Sequence, residues 1–82
     1  VIRRIVVTQR HIAGGFKGAC GQCPVALAVK EACPQSLFVS VTLFAIRLGP
    51  AVKCATPEIV AAFITKYDAG EPVAPFTFDL EV

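Results

Sequence analysis

Residues 56–82, TPEIVAAFITKYDAGEPVAPFTFDLEV, carry the two patterns from which the fold class follows. Thr56-Pro57-Glu58 reads as a helix start: a side-chain oxygen at the N-cap, proline at the first helical position, and a carboxylate at the positive helix end. The spacing predicts a helix over 57–68 with Val60, Phe63, Ile64 and Tyr67 as its buried stripe, ended by Gly70. Pro72 and Pro75 hold the next segment extended. Residues 76–82 then alternate, with Phe76, Phe78, Leu80 and Val82 on one side and Thr77, Asp79 and Glu81 on the other. That is a strand with one dry and one wet face, as antiparallel sheets permit.

Working back towards the first residue, 44–48 alternates too, with Phe44, Ile46 and Leu48 opposed to Ala45 and Arg47. So does 37–42, with Val39 and Val41 on one side and Phe38, Ser40 and Thr42 on the other. Two assignments stay open: a hairpin turning at 42–44, or one long bent strand over 37–48 that turns at Gly49-Pro50 and returns through 51–55. Pro24 opens a second helix that runs to about Cys33. Val25, Ala28, Val29 and Ala32 form its buried stripe, and only Lys30 and Glu31 are clearly wet. A helix this apolar is covered on more than one side. Residues 2–8, IRRIVVT, read as a strand with Ile5 and Val7 on one face and Arg4, Val6 and Thr8 on the other. Thr8 then caps a short helical turn over 9–13, and a glycine-punctuated loop follows over 16–22.

The order βαββαβ in a single domain spanning 1–82 is an α+β arrangement, a two-layer α/β sandwich with the ferredoxin-like split βαβ as the candidate. Right-handed crossovers in that candidate put the first and third strands parallel at the sheet centre. The phenylalanines are expected in its core.

The chain has 82 residues, 55% of them apolar and 17% charged, with a net charge of +2. This excludes intrinsic disorder and a dedicated polyanion binder. No apolar run approaches the ~18 residues of a membrane span. A domain of this size buries about 60% of its unfolded surface, so some apolar surface stays outside unless a partner or a second copy covers it. An oligomer or a complex is therefore expected ahead of a free monomer. The opening residues lack signal-peptide order, and a reducing cytoplasm is expected.

Four side-chain groups invite chemistry. Cys20 and Cys23 sit at a helix start with half-site spacing, and His11 is near in sequence; a zinc site built on Cys20, Cys23 and His11 is one alternative. Completing it needs Cys33 or Cys54. Thiol redox chemistry is another, since a helix N-terminus favours thiolate. The bland reading packs Cys23 under the helix and leaves Cys20 as a loop thiol. His11 alone, without a Ser or Asp motif, reads as a surface residue or a cap. Arg3, Arg4, Arg10 and Lys17 make a basic edge, because residues 1–41 hold five basic groups against Glu31. Single-stranded RNA binding is the corresponding alternative, although no aromatic RNA-binding motif appears on the third strand. An ordinary solvated face explains the same residues, and so does self-association of a basic end with an acidic one. Asp68, Glu71, Asp79 and Glu81 read as a solvated rim. No catalytic residue and no cofactor are expected.

Val7-Thr8-Gln9-Arg10-His11-Ile12, the helix start Cys23-Pro24-Val25-Ala26-Leu27-Ala28, Thr56-Pro57-Glu58, and the stretch from Asp68-Ala69-Gly70-Glu71-Pro72 through Phe78 cover about a third of the chain. In these pieces it resembles a group of small uncharacterised proteins of bacteriophages and actinobacterial prophages. The resemblance implies a non-enzymatic accessory or host-interaction protein that works through protein contacts. It transfers no active-site residue.

Overall fold

The structure is a computed structural model that describes residues 2–18, 21–36, 38–50 and 52–81. Strand β1 (Ile2–Val7) leads into a short helix α1 (Gln9–Gly14), the loop, and helix α2 (Pro24–Ala32). Strands β2 (Val39–Val41), β3 (Ala45–Leu48) and β4 (Val52–Ala55) follow, then helix α3 (Glu58–Asp68) and strand β5 (Phe76–Glu81). The fold is α+β.

β1 and β5 pair antiparallel, with Ile5 opposite Phe78 and Val7 opposite Phe76. Ile5, Val7, Phe78 and Leu80 are buried, as the alternation requires. The other face carries Arg4 opposite Asp79, an exposed ion pair at 3.7 Å. β2, β3 and β4 form a separate antiparallel meander. Both turns left open by the sequence are present: one over residues 42–44, and one at Gly49-Pro50, where Gly49 takes φ 81°.

The sheet differs from the ferredoxin-like arrangement. Four strands in one layer, with the first and third parallel at its centre, would require β1 beside β3. Instead β2 occupies one edge of β3 and β4 the other, which leaves no edge for β1. The described strands therefore form a two-stranded and a three-stranded sheet. The Cys54 thiol of β4 donates to the Glu81 carbonyl of β5 at 2.7 Å and ties the two together.

Helix α2 packs against β1, β2 and α1. Pro24, Val25, Ala26, Ala28 and Val29 are all buried, so the helix is dry on most of its circumference. Alanines allow that close approach. α3 buries Val60, Phe63, Ile64 and Tyr67, the expected stripe. Its Phe63 ring meets Phe76 of β5 at 4.8 Å, and the Tyr67 hydroxyl donates to the Ile12 carbonyl of α1 at 3.4 Å. The C-terminus of α3 closes in a Schellman motif: the Glu71 N–H bonds the Lys66 carbonyl and the Gly70 N–H bonds that of Tyr67, with Gly70 at φ 79°.

The N-terminus of α3 is a correction. Pro57, not Thr56, is the N-cap, and no side chain caps the helix. Thr56 sits one residue too early and donates its hydroxyl to the Thr42 carbonyl at 2.8 Å. The phenylalanines also divide: Phe63 and Phe78 are buried, whereas Phe16, Phe38 and Phe44 are exposed.

Candidate functional site

The basic residues do not gather on one surface. Arg3 and Arg4 alternate along β1, so Arg3 faces the side of Ile5 and Arg4 the opposite one. Arg4 pairs with Asp79, and Arg10 pairs with Glu31 at 2.9 Å. Lys17 lies at the end of α3, its ammonium 3.1 Å from where a Cβ on Gly70 would stand. The basic edge is thus dispersed and half neutralised. Neutralising carboxylates beside an arginine remove the charge density that phosphate binding uses.

His11 is buried, with 5% exposure, rather than a surface residue. It is the third residue of α1 and closes a capping box: the Thr8 N–H donates to His11 Nδ1 at 3.0 Å, and the Thr8 hydroxyl accepts from the His11 N–H. Accepting at Nδ1 fixes the proton on Nε2, which donates to Glu31 Oε2 at 3.1 Å. That hydrogen bond, aided by the Arg10 charge, holds the Glu31 carboxyl below the usual carboxylate range against the opposing effect of burial.

Hydroxyl, imidazole and carboxylate in sequence also describe an acyl-transfer triad, with Thr8 Oγ1 at 3.1 Å from Nδ1. The geometry serves the cap instead. The Nδ1 lone pair is already committed to the Thr8 amide, and neither of the two clefts described below opens on this group. His11 pins α1 to α2 through Glu31.

Cys23 is the N-cap of α2, its Sγ accepting from the Ala26 N–H at 3.4 Å. This is the buried packing role, at 5% exposure. Cys20 lies outside the described residues. His11 is turned towards Thr8 and Glu31, Cys33 is buried behind α2, and Cys54 bonds Glu81. Among the described residues no three His, Cys, Asp or Glu side chains come within ligating reach of one another. Burial, and then Cys23 and Asp68, push the Tyr67 hydroxyl pKa up.

Two apolar clefts stand out among the described residues. One, of about 370 Å³, runs between α3 and the extended connector, bounded by Ile59, Phe63, Lys66, Pro72 and Phe76. The other, of about 270 Å³, is walled by Cys23, Val41, Leu43, Phe44 and Ile64, with Gly18, Thr42 and Asp68 around it. The Asp68 carboxylate accepts from the Gly18 N–H at 3.1 Å and sets that side of the rim.

Phe44, in the wall of this second cleft, has 85% of its surface in solvent. Sequence periodicity misplaced it, because a residue in a turn keeps the spacing of the strand it precedes without keeping its direction. Its backbone is unusually well held. Thr42 Oγ1 accepts from the N–H groups of Phe44 at 3.2 Å and Ala45 at 3.0 Å. The Thr56 N–H bonds the Phe44 carbonyl at 3.2 Å, and the Thr56 hydroxyl bonds the Thr42 carbonyl.

The chain matches no protein-family model, no curated protein and no solved structure. Among the described residues, no helix is long and apolar enough to cross a membrane.

Proposed function

We propose that the chain is a small non-enzymatic binding protein that acts by protein–protein contact in a bacterial host cytoplasm, as an accessory or host-interaction factor of phage type. One observation carries the contact: an almost fully exposed phenylalanine, Phe44, on a turn fixed by hydrogen bonds from Thr42 and Thr56, in the wall of an apolar cleft. An aromatic left in water gains little for the isolated fold. Its backbone is already held by the turn, so that part of the ordering cost is met before a partner binds. The phage assignment rests on the resemblance of the four sequence stretches.

Immobilised wild-type protein and a Phe44→Asp variant are exposed to bacterial lysate, and captured proteins are quantified by mass spectrometry. A specific partner should fall at least about tenfold on the variant, as loss of an aromatic anchor implies. A capture profile unchanged by Phe44→Asp, together with no self-association through this residue, overturns the reading.

A further inference from the structure

We propose that the Thr8–His11 capping box is a proton-operated latch: when the imidazole takes up a proton at Nδ1, the start of α1 loses its cap while the tie from α1 to α2 through Glu31 is kept. This goes beyond the protein-contact reading and does not depend on it.

The two ring nitrogens have unlike partners. Nδ1 accepts from the Thr8 N–H at 3.0 Å, and Nε2 donates to Glu31 Oε2 at 3.1 Å. A proton added to Nδ1 turns an acceptor into a donor and sets two N–H groups against each other. Another acceptor is at hand, because Thr8 Oγ1 lies 3.1 Å from the same nitrogen. The imidazolium therefore exchanges the Thr8 amide for the Thr8 hydroxyl, and the amide is left without its acceptor. At Nε2 nothing is lost: the hydrogen bond to Glu31 becomes an ion pair. The ring is 5% exposed, so the protein and not solvent supplies the partners of both nitrogens.

The charges around the ring leave the switching to His11. Glu31 faces it from α2, and Arg10 of α1 donates to the same Oε2 at 2.9 Å. Glu31, held below the usual carboxylate range, stays ionised at mildly acidic pH. Lys30 of α2 is turned to the Gly21 carbonyl, and Arg4 of β1 is held by Asp79. From α3, the Tyr67 hydroxyl meets the Ile12 carbonyl, and burial pushes it further from ionising. His11 is the single histidine of the chain, and imidazole is the side chain whose ordinary range places its proton change between about pH 5 and 8.

Isotopically labelled protein is followed by NMR over that range. At the upper end the ring should show a bare Nδ1 and a protonated Nε2. On acidification the His11 ring and the Thr8 amide should titrate with one midpoint. The protection of the Thr8 amide against solvent exchange should fall about tenfold, as loss of one hydrogen bond implies. The Ile64 amide in α3 should stay protected. In His11→Gln, which keeps an acceptor for the Thr8 N–H but holds no titrating proton, the Thr8 amide should be flat over the same range. A neutral ring protonated at Nδ1 overturns the proposal, as does a ring that takes up no proton in this range. So does a Thr8 amide that ignores the ring, or one that titrates equally in His11→Gln. Protection lost at Ile64 together with Thr8 overturns it too, since acid then unfolds the whole chain. None of these outcomes bears on capture through Phe44, so the two readings fail separately.

Discussion

His11 shows how much one side chain contributes in a small domain. It satisfies the first turn of α1, fills buried space and anchors Glu31 of α2. Removing a helix cap costs about 0.5–2 kcal/mol. His11→Ala should therefore lower stability by about 1–2 kcal/mol in urea unfolding. His11→Gln should cost less, because glutamine at the same position still reaches the Thr8 N–H. The pH dependence follows from the depressed Glu31 carboxyl. Its folded pKa lies below its unfolded one, so the contact contributes fully above the unfolded value and is lost as pH falls through the folded value. Urea midpoints should drop across that acid range in the wild type and drop less in His11→Ala.

Among the elements, the approach to α2 is a tight junction. A Cβ on Gly15 would stand 2.7 Å from Pro24 Cδ and 2.8 Å from Pro24 N, whereas one on Gly14 meets nothing within 4 Å. Gly15→Ala must shift the proline that opens α2 and should destabilise by about 1–3 kcal/mol. Gly14→Ala, at the end of α1, should be neutral or stabilise by up to about 1 kcal/mol. Thermal melts of the two variants should therefore move in different directions or by clearly different amounts. The two longer helices and the faces of β1 and β5 were readable from periodicity, because burial of Val60, Phe63, Ile64 and Tyr67, or of Ile5 and Val7, follows from local geometry. What local pattern cannot carry is a partner far away in sequence. Thr56 has the chemistry of a cap, yet its hydroxyl is drawn to Thr42, fourteen residues earlier. Phe44 likewise keeps the rhythm of β3 while sitting in the turn before it. The site was missed for that reason, and a Thr two residues before an aromatic between two short strands was its only signal.

For the whole molecule, strand pairing was the unreadable part. A return through 51–55 is one of the two assignments the sequence leaves open, but no local pattern announces that β4 thereby takes the edge of β3 that β1 would have used, since edge choice depends on long-range competition. The result is two small sheets, of which the two-stranded one would be marginal alone, with α2 packed on a strand of each. Ala28 of α2 is buried, and Ala28→Leu should overpack this joint by about 1–3 kcal/mol. Amide exchange should then quicken in β1 and β2 together. Quickening confined to one sheet would show that the helix does not couple them.

The antiparallel pairing of β1 with β5 puts Ile2 directly across from Glu81. Chain entering and chain leaving this unit therefore pass through a single doorway a strand's width apart. A few residues would bridge that gap, so new ends can be opened at an exposed corner such as Pro34-Gln35, and the unit can be grafted into a loop of another protein without being pulled open.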